Sequence, residues 1–191
     1  MKELVFLLEE ESAKAMLEGI LVRILPVGFP VRYIVFEGKQ ELERQLSKRI
    51  RGYRNPEARF VVLRDQDSHP HCTEIKARLI ALCREGGCNN ALVRIACREL
   101  ESFYLADLQA VEQGLSINGL ARQQQKQKFR NPDLLGSPSR ELKELTKGFY
   151  QKVGGSRAIG PHLDLDNIRS ASFKNLILGI RRVAEAGGDV G

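Results

Sequence analysis

No stretch of this 191-residue chain approaches the about 20 consecutive apolar residues that a membrane-spanning helix needs, so no membrane partner is expected. The apolar run near the N-terminus lacks a strong cationic leader and meets three glutamates within the first eleven residues, a poor match to a secretory signal. A cytoplasmic protein is the expectation. Its four cysteines, Cys72, Cys83, Cys88 and Cys97, form no C-x-x-C pair and no zinc-finger spacing. His69, His71 and Cys72 lie close together but read as a polar loop followed by ordinary thiols. There is no G-x-x-x-x-G-K-[ST] phosphate loop, no room for an ATPase domain, and no internal repeat. Tyr33, Tyr53, Tyr104 and Tyr150 bear no special relation to the acidic motifs, which disfavours strand passage by a tyrosine nucleophile. Thirty Lys and Arg against twenty-four Asp and Glu give a net charge of +6. That balance permits a polyanionic partner without establishing one.

What is present is an alternation of strand and helix signals over the first hundred residues. Leu4–Leu8 reads as a buried strand, and Ser12 is placed to cap a helix whose Met16, Leu17, Ile20, Leu21 and Ile24 share a face. Val31–Phe36 forms a second strand, and Leu42, Leu46 and Ile50 mark a helix. Phe60–Leu63 is a third strand, Thr73 opens a helix carrying Ile75, Leu79 and Leu82, and Ala91–Ala96 supplies a fourth strand. Such units predict an α/β fold, a mostly parallel sheet flanked by helices, over residues 1–110. Residues 111–191 read as a helical and loop extension packed on that core. Within it, Asp107–Gln113 leads in as a helix, Arg122–Arg130 is glutamine-rich and basic, and Ser137-Pro138 starts a helix. Gly148–Pro161 reads as a glycine-rich loop, Ser172–Ala186 as a final amphipathic helix, and Gly187–Gly191 as a fraying tail.

Right-handed crossovers keep successive strands pointing one way, so their C-terminal ends share the edge where open α/β folds bind ligands. Glu9-Glu10-Glu11 follow the first strand, Asp65 and Asp67 the third, and Glu99 the fourth. Carboxylates held that close repel unless a cation or a shared proton neutralises them. A site for Mg²⁺ or Mn²⁺ is therefore the leading reading. In extended backbone Asp65 and Asp67 project to the same side, and hard oxygen donors that leave water positions free suit magnesium and phosphate oxygens. Composition does not choose among the three glutamates. Glu9 lies nearest the strand, while Glu10 or Glu11 can face solvent at the helix start. Glu99 and Glu101 are further candidate ligands, but i and i+2 diverge on a helix, so both reach one site only if Glu99 is still extended. Solvated acids favoured by a helix N-terminus are the other reading of that pair.

The segments L-L-E-E-E-S at 7–12 and L-R-D-Q-D-S at 63–68 resemble a Toprim domain. This is the acidic α/β module of primases, topoisomerases and overcoming-lysogenization-defect-type nucleases. The resemblance matches Glu9 to the glutamate after the first strand and Asp65 and Asp67 to the D-x-D after the third. Glu10 stands where that pattern customarily has glycine. More closely, the chain resembles the DUF4276 family of small Toprim-like proteins. The resemblance rests on A-R-F-V-V-L-R-D-Q-D at 58–67, C-R-E-L-E-S-F-Y-L-A-D at 97–107 and A-I-G-P-H-L-D-L-D-N-I-R-S-A-S-F at 158–173. It implies a second acidic motif that brings Glu99 and Glu101 to the centre.

The leading functional expectation is metal-dependent phosphodiester hydrolysis by a nuclease-like centre. Glu9, Asp65 and Asp67 would organise one or two ions, with Glu99 or Glu101 completing a shell. Lys152 or Arg157 would offset developing negative charge. Lys126, Lys128 and Arg130 in the basic stretch, with Arg157 and Arg169 further on, are candidate phosphate contacts. A solvated helix and a capped surface turn are the competing readings of those two regions. The partners this implies are a nucleic acid and, in a defence or DNA-processing assembly, another protein. The alternatives are a noncatalytic metal-binding subunit of such an assembly and a hydrolase of a small phosphorylated metabolite.

Overall fold

Four short runs rich in Val, Ile, Leu and Phe become four parallel strands, β1 (Glu3–Leu8), β2 (Val31–Val35), β3 (Ala58–Asp65) and β4 (Leu92–Ala96), in the order β2-β1-β3-β4. This is a computed structural model that describes residues 2–185, so the expected tail at 187–191 and the expected last helical residue, Ala186, lie outside it. Eight helices connect and cover the strands among the described residues: α1 (Glu11–Leu21), α2 (Lys39–Arg51), α3 (Cys72–Glu85), α4 (Glu101–Leu105), α5 (Leu108–Gly114), α6 (Pro138–Leu145), α7 (Lys152–Ile159) and α8 (Ala171–Glu185). The architecture is the expected α/β fold, a parallel sheet flanked by helices with a C-terminal helical extension.

Alternation along β1 explains why its apolar run is unbroken. Val5 and Leu7, with Phe60 and Val62 of β3, bury against Leu42, Leu46 and Ile50 of α2 and Ile75, Leu79 and Cys83 of α3. Leu4, Phe6 and Leu8, with Val61 and Leu63, face the opposite layer, which holds Met16, Leu17 and Ile20 of α1 and Phe173, Leu176 and Ile177 of α8. Both faces are covered, as parallel sheets require. The second layer also takes in Phe103, Phe129, Leu142, Tyr150 and Ile159, so residues before and after position 110 share one core.

Several local expectations change. β3 does not stop at Leu63 but runs to Asp65, which lies opposite Ala96 of β4. Ser12 does not cap α1. Glu10 holds the N-cap position, and the Ser12 hydroxyl donates to Glu10 Oε1 at 2.7 Å from inside the first turn. The segment 148–161 is not a loop, because Lys152–Ile159 is the helix α7 packed on α1. Gly154 and Gly155 weaken its intrinsic helicity, but close packing requires glycine at Gly155 and at Gly160 just beyond the helix. A Cβ on Gly155 would lie 2.4 Å from the Tyr150 ring, and one on Gly160 would lie 2.6 Å from the Met16 carbonyl oxygen. The stretch 122–130 is mostly exposed but is not one continuous helix. It forms two 3₁₀ turns, Ala121–Gln125 and Gln127–Phe129, pinned by a fully buried Phe129.

A candidate acidic centre at the sheet edge

Strand register builds the centre. Leu8 pairs with Leu63, and the Glu9 N–H continues that ladder to the Leu63 carbonyl at 3.3 Å. Glu9 then lies across from the end of β3, where its Oε2 accepts the Asp65 backbone N–H at 3.1 Å. Asp65 is buried, and its carboxyl ionises well above the usual aspartate range. Burial is the main cause, followed by the negative charges of Glu9, Glu10 and Glu101. The Leu100 backbone N–H opposes them in part. Burial likewise raises Glu9, against the Asp65 N–H that it accepts and with the charge of Asp67 adding to the rise.

Glu101, in the first turn of α4, is almost fully buried, and its Oε1 accepts the Tyr150 hydroxyl at 2.9 Å. Burial raises its ionisation and that hydrogen bond opposes the rise. Glu10 Oε2 takes Lys152 Nζ at 2.5 Å, across 142 residues of sequence. Burial disfavours the Lys152 charge, but Glu10, then Glu101 and Asp65, outweigh it and hold the ammonium above its usual range. The Ser102 hydroxyl is buried without a hydrogen-bond partner among the described residues, and Glu101, Asp65 and Glu10 act on the buried Tyr104 from nearby. Four carboxylates against the Lys152 ammonium and the Arg64 guanidinium beside Glu9 give this edge of the sheet an excess of acidic groups.

The remaining predicted residues lie elsewhere or in other company. Asp67 is not in extended backbone. Its φ of 55° is left-handed, and its Oδ2 pairs with Lys39 Nζ at 2.7 Å. Its neighbours are Lys39, Glu43, Arg64, Gln66 and His69 in a cleft of about 410 Å³ between α2 and α3. Aspartate tolerates the left-handed region better than most residues do, which is why the chain can turn there. Glu99 Oε2 accepts the Ser139 backbone N–H at 2.6 Å, at the first turn of α6. Glu11 is exposed and pairs with Lys14 within α1. Lys126 Nζ donates to Gln123 Oε1 at 2.9 Å, Lys128 pairs with Glu141 over the Phe129 ring, and Arg157 is exposed on α7. Arg130 and Arg169 share a separate cleft.

Tyr104, Tyr150 and Arg64 were not legible as site residues, and Glu10 was legible only as one of three glutamates among which the sequence does not choose. Arg64 is buried, with Nη1 at 2.6 Å from Glu43 and Nε at 3.8 Å from Glu9 Oε2. A signal for Glu10 existed in its position before a helix start, but nothing in the sequence ties it to Lys152. Replacing Tyr150 by Phe tests the role of the hydroxyl. It removes a donor from a buried carboxylate at nearly constant volume, so Y150F is expected to unfold about 1–3 kcal/mol more easily. The loss is expected to be larger at pH 8 than at pH 5, where Glu101 is nearer its protonated form. Chemical denaturation at the two pH values checks it, and an equal loss at both would detach the hydroxyl from the Glu101 charge.

Hard carboxylate oxygens suit Mg²⁺ or Mn²⁺. Among the described residues, however, no group of three or more His, Cys, Asp or Glu side chains is arranged to hold a metal ion. The expected convergence of Glu9, Asp65, Asp67 and Glu99 on a common ligation point is not formed. In this conformation Glu9, Glu10, Asp67, Glu99 and Glu101 each turn to an N–H, hydroxyl or ammonium of the protein. Most of these contacts engage one carboxylate oxygen only, so ligation of a common ion requires the side chains to turn toward one another.

Residues 8–181 match a family described as "Domain of unknown function (DUF4276)". No curated protein matches the chain in sequence. Among solved structures, the chain is similar to the C-terminal region of the Burkholderia pseudomallei OLD protein. The match has a TM-score of 0.57 and 16% identity, covering 95% of this chain and 98% of that one. At that identity the likeness speaks for the fold, which is Toprim-like. No helix among the described residues is long and apolar enough to cross a membrane.

Proposed function

The chain belongs to the DUF4276 family, and from that membership and its acidic centre we propose that it is a divalent-metal-dependent phosphodiester hydrolase of the nuclease type. The observation that supports this reading is buried Asp65, faced by Glu9, Glu10 and Glu101 with Lys152 as the counter-charge. A cluster of like charges taken out of water destabilises the fold, and such arrangements concentrate at functional sites. Glu9 and Asp65, fixed by the β1–β3 register, would hold Mg²⁺ or Mn²⁺, joined by Glu10 or Glu101 once these leave Lys152 or Tyr150. When bound there, the ion would supply an activated water and neutralise charge on the phosphate. Lys152, released from Glu10, would balance a phosphate oxygen, and Tyr150 would hold Glu101 in place where Glu10 is the one that joins the ion. Asp67 and Glu99 would act from the rim, through Lys39 and the α6 N-terminus. A nucleic acid is the substrate class proposed.

The second reading, a noncatalytic metal-binding subunit, is favoured by the protein partners already held by each carboxylate around Asp65. Assays of the purified protein with Mg²⁺ or Mn²⁺ against single-stranded and duplex DNA, RNA and small phosphodiesters separate the two. Cleavage by wild type and its loss in folded E9Q supports hydrolysis. Cleavage at the wild-type rate in E9Q removes the acidic centre from the reaction. Metal binding with no substrate cut by wild type favours the noncatalytic subunit.

The raised carboxylates also fix a pH dependence. Asp65, Glu9 and Glu101 hold protons in the fold at pH values where the unfolded chain has released them. Their contribution is therefore fully present below the ordinary carboxylate value of about 4, and it is lost as pH rises through the raised folded values. Metal-free protein is expected to melt progressively lower across that rise. Mn²⁺ favours the ionised forms, so its stabilisation is expected to be larger at pH 8 than at pH 5. Scanning calorimetry with and without Mn²⁺ at both pH values measures this. A metal-induced shift of equal size at the two pH values would contradict it.

A further inference from the structure

Arg130 and Arg169, 39 positions apart, meet in one polar cleft of about 360 Å³ whose other polar lining is Asp107, Gln109, Gln124 and Gln125. The charge in this cleft is not balanced internally. The guanidinium of Arg130 has no hydrogen bond or ion pair among the described residues. Arg169 uses Nη1 on the Ala106 carbonyl at 3.3 Å, which leaves most of its five N–H donors free. Asp107 is the one carboxylate in the lining, and its oxygens are committed to backbone. Oδ1 accepts the Ala110 N–H at 3.1 Å as the α5 cap, and Oδ2 accepts the Asp164 N–H at 2.7 Å.

The cleft is also rigidly built. Gln124 accepts the Leu108 N–H at 2.8 Å and donates to the Leu105 and Phe129 carbonyls at 3.1 and 3.2 Å. Phe129, fully buried, anchors the residue immediately before Arg130. Asn167 fixes the approach to Arg169, accepting its backbone N–H at 2.9 Å and donating to the Ala106 carbonyl at 2.8 Å. Two guanidiniums carried on a preformed backbone frame, with amide side chains in the same lining, offer forked donors to a tetrahedral oxyanion, the ordering cost being confined to the arginine side chains themselves.

We propose that this cleft binds a phosphoryl oxyanion, carried either by a nucleic-acid strand or by a small phosphorylated molecule. Of the five basic residues whose type suggested phosphate contact, these two are the ones the fold brings together. The binding needs no divalent ion, so it stands or falls apart from the reading of the acidic centre.

The test compares wild type, R130Q, R169Q and the double variant in EDTA, with K48Q on exposed α2 as control and melting curves to confirm folding. Fluorescence anisotropy with labelled single-stranded and duplex oligonucleotides is read across salt concentration. Each arginine contacting a strand phosphate is expected to contribute about fivefold in affinity near 0.1 M salt and about 0.7 of the logarithmic salt slope. The double variant is then expected to lose about 25-fold, with K48Q unchanged. Inorganic phosphate and a nucleoside monophosphate are titrated in parallel by ³¹P line broadening. Arginine-dependent binding of the oligonucleotides assigns the strand as source. Arginine-dependent binding of the small probes alone assigns a phosphorylated small molecule. Either supports the cleft. A double variant that binds every probe as wild type does, or a wild type that binds none, overturns it.

Discussion

Replacing Asp65 by Asn is expected to lower metal-dependent phosphodiester hydrolysis at least about a hundredfold while raising the melting temperature of the metal-free protein. Both effects follow from one property. Asp65 is buried beside Glu9, Glu10 and Glu101, so its charge is disfavoured by the fold that holds it. Asparagine keeps the shape, can still accept a backbone N–H, and removes the repulsion. At this chain length each kcal/mol so relieved raises the melting temperature by roughly 2–4 °C. Opposite signs for stability and activity are what a functional carboxylate predicts and what a purely structural one does not. Calorimetry in EDTA and a single-turnover cleavage assay measure the two. A D65N protein that melts lower than wild type without metal would show that the carboxylate supports the fold instead of straining it.

Two adjacent glycines of α7 are expected to respond in opposite directions to the same substitution. A Cβ on exposed Gly154 meets nothing within 4 Å, so G154A is expected to stabilise by about 0.5–1 kcal/mol through helix propensity. A Cβ on Gly155 would meet Tyr150 Cδ2 at 2.4 Å and Cε2 at 2.6 Å. That ring is itself held, buried and packed 5.9 Å from the centre of the Tyr104 ring. Overpacking of this kind costs about 1–3 kcal/mol, so G155A is expected to melt lower than wild type by roughly 2–12 °C. It should also disturb Glu101 through the displaced Tyr150 hydroxyl. Equal and positive effects at both positions would mean that the α7 contact on Tyr150 yields without strain.

The sheet was legible because its signals are local. Uninterrupted apolar runs at Leu4–Leu8 and Phe60–Leu63, separated by helix-period segments, admit few arrangements besides parallel strands with both faces covered. Glu9 and Asp65 could be placed at one edge on the same grounds, since register and strand direction follow from that topology. Illegible features were those decided by distant packing. The Gly154-Gly155 pair argues against a helix until Tyr150 is seen to occupy the space that a side chain on Gly155 would take. The left-handed turn at Asp67 breaks the extended spacing that a D-x-D suggests, and it sends that carboxylate to Lys39. Glu99 and Glu101 look alike in sequence, and only the position of α6 decides that one serves its N-terminus while the other is buried with Tyr150. Lys152 was singled out as a cation but given to an irregular backbone, and its pairing with Glu10 was not foreseen.

The 142 residues between Glu10 and Lys152 also set a clock. A ribosome adding 5–20 residues per second needs about 7–30 s to travel from the first to the second. The strands and the acids of the sheet edge are thus synthesised well before the one ammonium that offsets them. During that interval the nascent α/β half carries an unbalanced acidic edge, together with a face of β1 and α1 that α7 and α8 will later cover. Sequence-distant contacts of this kind slow folding, and the acidic edge can close only after residue 152 has been made, well after the four strands of the sheet.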